Sequence, residues 1–323
     1  MIINSINSRM LSKLGSRGAF GVALHEIAND NNNIIALSAD LCNTSGLDRF
    51  REAFADRFIN VGIAEQNMVG IAAGLANEGK VPFVTTFSNF LSMRACEQIR
   101  HFLGYMKSNV KVVGLGSGFA MGMFGNTHYG VEDLAIIRAI PNVTVISPAD
   151  SSETFKTVQA AALYDGPVYI RLTGTMNNPI VYKDEYDFKI GKAVKLKNGS
   201  DINIFAAGTM VYNSVKAAEL LENRGLSVGV TNMHTIKPID ADVLDEISSY
   251  SKLIVSVEEH SVVGGLGGAI AEYNSNKKNV PPHLIIGTED KFKYAGEYKY
   301  MLEINGLLPE QIADKILSRY NSI

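Results

Sequence analysis

One carboxylate in the first third of the chain lies where it could transfer a proton. Glu65 follows a short strand and begins an Ala- and Gly-rich helix in the segment FINVGIAEQNMVGIAAGLANEGKVPFVTT (58–86). A partly desolvated carboxyl group can hold a proton near neutral pH and act as a general acid or base. An acidic residue in the first turn of a helix also has a simpler explanation, since it complements the helix dipole. The spacing alone favours that simpler interpretation.

Two later segments combine aromatic, glycine and histidine residues. Phe87 and Phe90 are three residues apart in FVTTFSNFLSMRACEQIR (83–100), a spacing typical of the core-facing stripe of a helix. The segment GLGSGFAMGMFGNTHYG (114–130) is rich in glycine, which permits close approach of a ligand to the backbone. It ends with Thr127 and His128, and an imidazole can transfer protons or form hydrogen bonds. A loop histidine considered alone is more often structural.

These residues lie between short β-branched runs that alternate with helical stretches. Parallel strands need long crossover connections, which are usually helices, and they are buried on both faces. The alternation therefore predicts an α/β fold with a mainly parallel sheet. The runs interpreted as buried strands are Ile34–Leu37, Val81–Thr85, Val110–Leu115, Val143–Ile146 and Val168–Leu172.

A polar stretch divides the chain. Residues 173–200 are rich in Asn, Lys and Asp, and the first half of this stretch is interpreted as an interdomain linker. The α/β rhythm then restarts, which predicts two doubly wound domains, residues 1–187 and a smaller domain of residues 188–323. The strands predicted for the second domain are Ile202–Ala206, Val228–Thr231, Leu253–Val257 and Leu284–Ile286.

The composition excludes several classes of protein. The chain has 323 residues with 30 Lys and Arg against 33 Asp and Glu, so it has no basic field that would attract nucleic acid. No stretch approaches the ~20 apolar residues of a membrane helix, and a soluble, cytoplasmic protein is expected. Cys42 and Cys96 are too few for a disulfide framework and form no zinc pattern, so both are expected to be buried or neutral thiols.

The combination of Glu65, the small-residue helix and the aromatic run resembles the transketolase superfamily. The resemblance implies that Glu65 is the catalytic glutamate, which lies beside N1′ of the aminopyrimidine ring of thiamine diphosphate and exchanges a proton with it. Phe87 and Phe90 match the aromatic residues that pack around that ring. His128 matches the histidine at the substrate end of the cofactor. Asp40, in SADLCNTSG, resembles a Ser-Ala-Asp-Leu segment near the cofactor and the subunit interface.

The substrate end departs from the transketolase pattern at three positions. Met93 stands where transketolases often have a tyrosine. Phe124 replaces an aspartate that contacts a sugar hydroxyl, and Gly116 falls at the position of a second histidine. Recognition of ordinary pentose and hexose phosphates is therefore expected to differ.

Arg171 has two interpretations of equal weight. It ends a buried strand in GPVYIRLTG and matches the family arginine that contacts the distal phosphate of sugar substrates. A guanidinium group fits a phosphate geometrically. The alternative is a strand-end arginine that is paired with a carboxylate at the domain interface.

The segment VEEHSVVGGLGGAIAE (257–272) looks like a nucleotide-binding turn but lacks the acidic ribose-binding residue. It resembles instead the transketolase C-terminal domain, whose role is largely packing and dimer formation.

One part of the family pattern is missing from this sequence. Thiamine diphosphate enzymes hold Mg²⁺ with a Gly-Asp-Gly segment and a downstream asparagine, and no such segment occurs here. The resemblance therefore implies one subunit of a split transketolase that transfers a two-carbon ketol unit between sugars, most simply sugar phosphates. A partner subunit is expected to hold the diphosphate and Mg²⁺ in an α2β2 heterotetramer.

Three alternatives share part of this pattern. They are the β subunit of a 2-oxo acid dehydrogenase, an enzyme similar to 1-deoxyxylulose-5-phosphate synthase, and a non-catalytic subunit that binds a partner. Thr127, His128 and Arg171 favour sugar chemistry over the first two. The presence of Glu65 together with the two phenylalanines argues against the third.

Overall fold

The computed structural model describes residues 1–323 and contains two sheets with helices packed on their faces. The strands in chain order are β1 (Ile34–Ser38), β2 (Phe58–Asn60), β3 (Val81–Phe87), β4 (Lys111–Ser117), β5 (Thr144–Ile146), β6 (Val168–Thr173), β7 (Val194–Lys197), β8 (Ile202–Ala206), β9 (Val228–Asn232), β10 (Thr235–Lys237), β11 (Leu253–Ser261) and β12 (His283–Thr288).

The helices surround these sheets and form most of the crossover connections. They are α1 (Ser5–Asp30), α2 (Asp48–Ala53), α3 (Glu65–Asn77), α4 (Cys96–Gln98), α5 (Asp133–Ala139), α6 (Ser151–Leu163), α7 (Met210–Glu222), α8 (Ala241–Ser248), α9 (Leu266–Asn274), α10 (Tyr298–Ile304) and α11 (Pro309–Tyr320). Two π-helical segments, Phe90–Arg94 and Ile99–Tyr105, flank α4.

The first sheet has seven strands in the order β10-β5-β6-β4-β3-β1-β2, and all of its pairs are parallel except β10 with β5. Strands β1, β4 and β6 are buried along their whole length, as expected for a parallel sheet that is covered on both faces. The predicted α/β fold is confirmed. Because the strands are parallel, the residues that follow β1, β2, β3, β4 and β6 meet at one edge of the sheet, where α/β proteins bind ligands.

The second sheet has five strands in the order β12-β11-β8-β9-β7, with only β7 antiparallel to its neighbour. The four strands predicted for this domain are present as β8, β9, β11 and β12. Strand β10 lies in the second half of the chain but pairs with β5 of the first sheet. The two halves are therefore joined by backbone hydrogen bonds as well as by side chains.

The polar connection between the halves, residues 174–193, contains no helix or strand but is held firmly. The buried carboxylate of Asp150 accepts hydrogen bonds from the backbone N–H groups of Val181 (2.7 Å) and Tyr182 (2.9 Å). Glu153, one turn further along α6, accepts one from the hydroxyl of Tyr186 (2.7 Å). Burial raises the pKa of Asp150 to about 6. The linker thus packs on α6.

None of the helices combines the length and the apolar composition that a membrane span requires. Cys42 is a buried free thiol and Cys96 a partly buried one, and burial raises the pKa of both.

A close approach of two glycines fixes α1 against the segment before α2. A Cβ atom on Gly21 would lie 1.9 Å from the carbonyl oxygen of Gly46, which is backbone and cannot rotate away. Gly21→Ala is therefore expected to lower the free energy of unfolding by about 1–3 kcal/mol, or more, through overpacking. Chemical denaturation of the chain measures this change.

Gly74→Ala is the matched control for Gly21→Ala. Gly74 also lies inside a helix, but a Cβ atom there meets no other atom within 4 Å. Gly74→Ala is expected to raise the free energy of unfolding by about 0.5–1 kcal/mol, since alanine loses less backbone entropy on folding than glycine does. Equal effects of the two substitutions would contradict the packing that the structure describes for α1.

Candidate active site

Glu65 lies where the sequence predicts it, as the first residue of α3. Shortly after β2 ends, the chain turns into the helix, and the side chain of Glu65 is buried with only 2% of its surface exposed. Buried carboxylates usually have a charged or hydrogen-bonding partner. For Glu65 that partner is Arg94, whose Nη1 donates a hydrogen bond of 2.9 Å to Oε1.

Arg94 is a site residue that the sequence interpretation missed. It ends the π-helical turn Phe90–Arg94, and its guanidinium group lies 4.1 Å from the centroid of the Phe90 ring. Its side chain remains 46% exposed, so it covers Glu65 on the solvent side. The only local signal is its place at the end of the aromatic run. An α-helical pattern would not have directed this side chain toward Glu65, because a π turn contains an extra residue.

The two predicted phenylalanines and His128 come together in an aromatic cluster. The ring centroids of Phe87 and Phe90 are 5.8 Å apart, and the imidazole of His128 lies 5.9 Å from each, in edge-to-face geometry. Phe124 packs against His128 at 5.3 Å. The hydroxyl of Thr127 lies 2.9 Å from Nδ1 of His128. These contacts orient the imidazole and leave its Nε2 atom available.

The glycine-rich segment that carries His128 forms a closed loop, which we call the His128 loop (residues 118–130). Its two ends are joined because the N–H of Gly118 donates to the carbonyl of Gly130 (2.6 Å) and the reverse hydrogen bond is 3.0 Å long. Short 3-10 turns over Gly122–Thr127 form its tip. The predicted glycine-rich loop is therefore compact, and His128 stands on it beside the two phenylalanines.

Arg171 agrees with the second of its two interpretations. The side chain is 2% exposed, and its Nε donates to both carboxylate oxygens of Asp133, at 2.9 and 3.0 Å. Its Nη2 donates to the carbonyl oxygens of Gly130 (3.1 Å) and Glu259 (3.0 Å). Burial raises the pKa of Asp133 while Arg171 lowers it, and the net shift is downward. Because its guanidinium group is buried and already bonded, the geometry favours the ion-pair interpretation over a contact with a substrate phosphate.

Asp40 lies at the same edge of the sheet as Glu65 but is exposed. Its backbone N–H donates to Oδ1 of Asn60 (3.0 Å), while Nδ2 of Asn60 donates back to Oδ1 of Asp40 (3.1 Å). The residue adopts a left-handed conformation with φ of 60°. No hydrogen bond joins Asp40 to Glu65 or Arg94.

A cavity of about 530 Å³ opens beside Arg94 and the His128 loop. Asn89, whose side-chain Oδ1 is buried without a hydrogen-bond partner, lies in its wall. A flat heterocycle could bind here, since one side of the cavity is aromatic and a carboxylate lies behind Arg94. No group of three or more His, Cys, Asp or Glu side chains is arranged to hold a metal ion. The remaining lining residues include Phe90, Met93, Asn126, Thr127 and Phe292.

Comparison with known proteins places this geometry in a family. Residues 12–177 match the model described as transketolase, pyrimidine binding domain, and residues 191–310 match transketolase, C-terminal domain. The chain is 40% identical over 94% of its length to a putative transketolase C-terminal section from Methanocaldococcus jannaschii, of which it covers 95%. The chain belongs to the transketolase family. The resemblance inferred from Glu65 and the aromatic run is thereby confirmed.

The lengths of the relatives distinguish a subunit from a whole enzyme. The chain covers 93% of the 6-deoxy-6-sulfo-D-fructose transketolase subunit SqwH from Clostridium sp., to which it is 39% identical over 92% of its own length. It covers only 49% of a 1-deoxy-D-xylulose-5-phosphate synthase from Caldanaerobacter subterraneus, at 37% identity over 94% of its length.

A solved structure gives the same result. It is described as a split gene transketolase, an inactive beta4 tetramer. It superposes with a TM-score of 0.86 and 39% identity, and the match covers 95% of this chain and 98% of that one. In length and in fold, this transketolase chain therefore corresponds to one subunit of a split enzyme.

Proposed function

We propose that this chain is the pyrimidine-side subunit of a split transketolase, which uses thiamine diphosphate to transfer a two-carbon ketol unit from a ketose to an aldose. The observation that carries the proposal is the buried carboxylate of Glu65 at the start of α3, beside the aromatic cluster at the carboxyl edge of the sheet. A general acid or base needs this kind of partly desolvated site.

Each residue of the cluster has a task in this proposal. Thiamine diphosphate, when bound, supplies the nucleophilic carbon that accepts the ketol unit. Glu65 holds a proton on its carboxyl group and exchanges it with N1′ of the aminopyrimidine ring. Phe87 and Phe90 bind the ring by apolar contact. His128 contacts the substrate through Nε2, because its Nδ1 is bonded to Thr127.

Arg94 must release Glu65 for this exchange to occur. The hydrogen bond of 2.9 Å from Nη1 of Arg94 occupies Oε1 of Glu65. The guanidinium group is half exposed, so it can move toward solvent when the ring binds. Asp40, at the same edge of the sheet, is assigned to the subunit interface near the cofactor.

The diphosphate and Mg²⁺ are assigned to a partner subunit. Hard cations require several oxygen ligands in fixed geometry, and the Gly-Asp-Gly segment that supplies them in the family does not occur in this sequence. Several relatives are themselves subunits, including one subunit of an apulose-4-phosphate transketolase from Phocaeicola vulgatus, at 35% identity. Two copies of each subunit would give an α2β2 heterotetramer with two equivalent sites.

The substrates are proposed to be sugars with an anionic tail, most simply sugar phosphates. Relatives of this length are named for apulose 4-phosphate and for 6-deoxy-6-sulfo-D-fructose, which both carry such a group. The contact to that group does not come from Arg171, which is buried in its ion pair. Phe124 and Gly116 also remove two polar contacts of the family pattern, so a substrate that is less hydroxylated near His128 fits better.

The choice of donor tests the reaction class. The chain is reconstituted with the partner subunit, thiamine diphosphate and Mg²⁺, and is then offered either a ketose phosphate or pyruvate, each with an aldose acceptor. Transfer of two carbons from the ketose, without release of CO₂, is the expected result. Release of CO₂ from pyruvate would instead assign the chain to the chemistry of 1-deoxy-D-xylulose-5-phosphate synthase or of the 2-oxo acid dehydrogenases.

A further inference from the structure

Glu259, in the second half of the chain, reaches across to the His128 loop. Its side chain is 1% exposed, and its Oε1 accepts a hydrogen bond of 2.5 Å from the backbone N–H of Phe119. Its Oε2 accepts hydrogen bonds from the hydroxyls of Thr209 (2.6 Å) and Tyr298 (2.7 Å). One buried carboxylate therefore joins the loop to the N-terminal ends of α7 and α10.

Glycine at position 118 makes room for this contact. Gly118 has φ of +63°, and a Cβ atom there would lie 2.2 Å from Oε1 of Glu259. Gly118 is also the residue whose N–H and carbonyl pair with Gly130 to close the loop. The carboxylate is thus placed directly against the point where the loop closes.

The backbone of Glu259 holds the other end of the loop. Its carbonyl oxygen accepts a hydrogen bond of 3.0 Å from Arg171, and the same Nη2 atom donates to the carbonyl of Gly130 (3.1 Å). Both ends of the His128 loop are therefore tied to a single residue of β11. A buried carboxylate is costly to desolvate, and packing alone would be served as well by an apolar side chain.

We infer that Glu259 is a positioning residue for the substrate end of the active site: it fixes the closed end of the His128 loop and so the position of His128. The inference rests on the proposed function for its catalytic consequence. It gives the C-terminal domain a task in the reaction beyond packing and dimer formation. Phe87 and Phe90 contact His128, but Glu65 lies on α3 and its hydrogen-bond partner is Arg94, so proton exchange by Glu65 is expected to depend little on this contact.

Three variants of Glu258 and Glu259 separate positioning from general stability. Glu259→Ala removes the carboxylate. Glu259→Gln keeps the contact, because its amide oxygen can accept from Phe119 while its NH₂ group donates to the two hydroxyls. Glu258→Ala is the matched control, since Glu258 is equally buried in β11 but accepts hydrogen bonds from the N–H groups of Leu266 and Gly267 at the start of α9.

The first measurement is amide hydrogen exchange of the full chain without its partner. Glu259→Ala is expected to speed exchange in residues 118–130 by at least about tenfold, since a buried hydrogen bond at the closed end is lost. Glu259→Gln is expected to restore slow exchange. Glu258→Ala is expected to speed exchange in α9 and to leave the loop unchanged. Tyr298→Phe removes one donor to Glu259 and keeps the ring. It is expected to speed exchange in the loop by a smaller factor than Glu259→Ala.

The second measurement uses the complex reconstituted with the partner subunit, thiamine diphosphate and Mg²⁺. Glu259→Ala is expected to lower kcat/KM for ketol transfer about a hundredfold, because displacement of a catalytic group by about 1 Å has effects of this size. The rate of C2–H/D exchange of the bound cofactor is expected to stay within about twofold of wild type, because it depends on Glu65. Glu259→Gln is expected to recover the transfer activity.

Unchanged loop exchange in both Glu259→Ala and Tyr298→Phe would overturn the inference. The inference would also be overturned if Glu258→Ala lost as much ketol transfer as Glu259→Ala. The same holds if Glu259→Ala lost as much cofactor H/D exchange as it loses ketol transfer, since either result indicates a general structural effect. Failure of the wild-type complex to transfer ketol units would instead refute the proposed function, and the exchange measurement on the chain alone would still decide whether Glu259 holds the loop.

Discussion

Glu65→Gln is expected to leave the fold intact and to lower turnover of the reconstituted enzyme by about 10²–10⁴-fold, the usual contribution of a general acid or base. The amide has nearly the same shape as the carboxyl group, and its oxygen can still accept the hydrogen bond from Arg94. It cannot exchange a proton with the aminopyrimidine ring. The measurement is C2–H/D exchange of bound thiamine diphosphate.

A substitution at the other end of α3 serves as the control for Glu65→Gln. Glu78 follows the helix and is exposed, so Glu78→Gln removes a charge from the same region without touching the cluster. It is expected to exchange the cofactor proton at the wild-type rate. Wild-type exchange in Glu65→Gln as well would remove Glu65 from its proposed role.

Arg171→Ala is expected to lower the free energy of unfolding by about 3–5 kcal/mol. The substitution leaves the carboxylate of Asp133 buried without its ion pair, and it also removes the donor to the carbonyls of Gly130 and Glu259. Urea denaturation of the chain alone measures the loss. The double substitution Arg171→Met with Asp133→Leu removes both charges, so it is expected to recover the part of the loss that comes from the unpaired carboxylate.

The two interpretations of Arg171 differ in what this experiment shows. Removal of an arginine that binds a substrate phosphate would lower the free energy of unfolding only a little. It would raise KM selectively for phosphorylated substrates. That pattern, with unchanged denaturation, would contradict the structural role of the ion pair. Loss of stability in the single variant and its partial recovery in the double variant would support it.

The sequence predicts the buried strands well because their signal is local. The continuous apolar run Ile34–Leu37 becomes β1 with one further residue, and β8 has the predicted bounds. The sequence does not predict β7 or β10. Strand β7 contains two lysines at a sheet edge, and β10 is a short strand that pairs with β5 from the first half of the chain. Such short pairings are decided by tertiary contacts.

The candidate site is predictable in part for the same reason. The position of Glu65 at the start of a helix follows from local sequence, and the family resemblance brings in His128. Arg94 and Glu259 are different, because their contacts depend on a π turn and on the approach of the second domain. The sequence does contain one signal for the role of Glu259. Glu258 and Glu259 are consecutive in a strand, so their side chains must point to opposite faces of the sheet.

The central claim is that this chain is one subunit of a split transketolase and is active only with its partner. One titration tests this claim most directly. A fixed concentration of the chain, with thiamine diphosphate, Mg²⁺, a ketose donor and an aldose acceptor, is titrated with the purified partner subunit while ketol transfer is followed. The chain alone is expected to be inactive, and activity is expected to rise until one partner is present per chain. Full activity without any partner, or none at any ratio, would contradict the account.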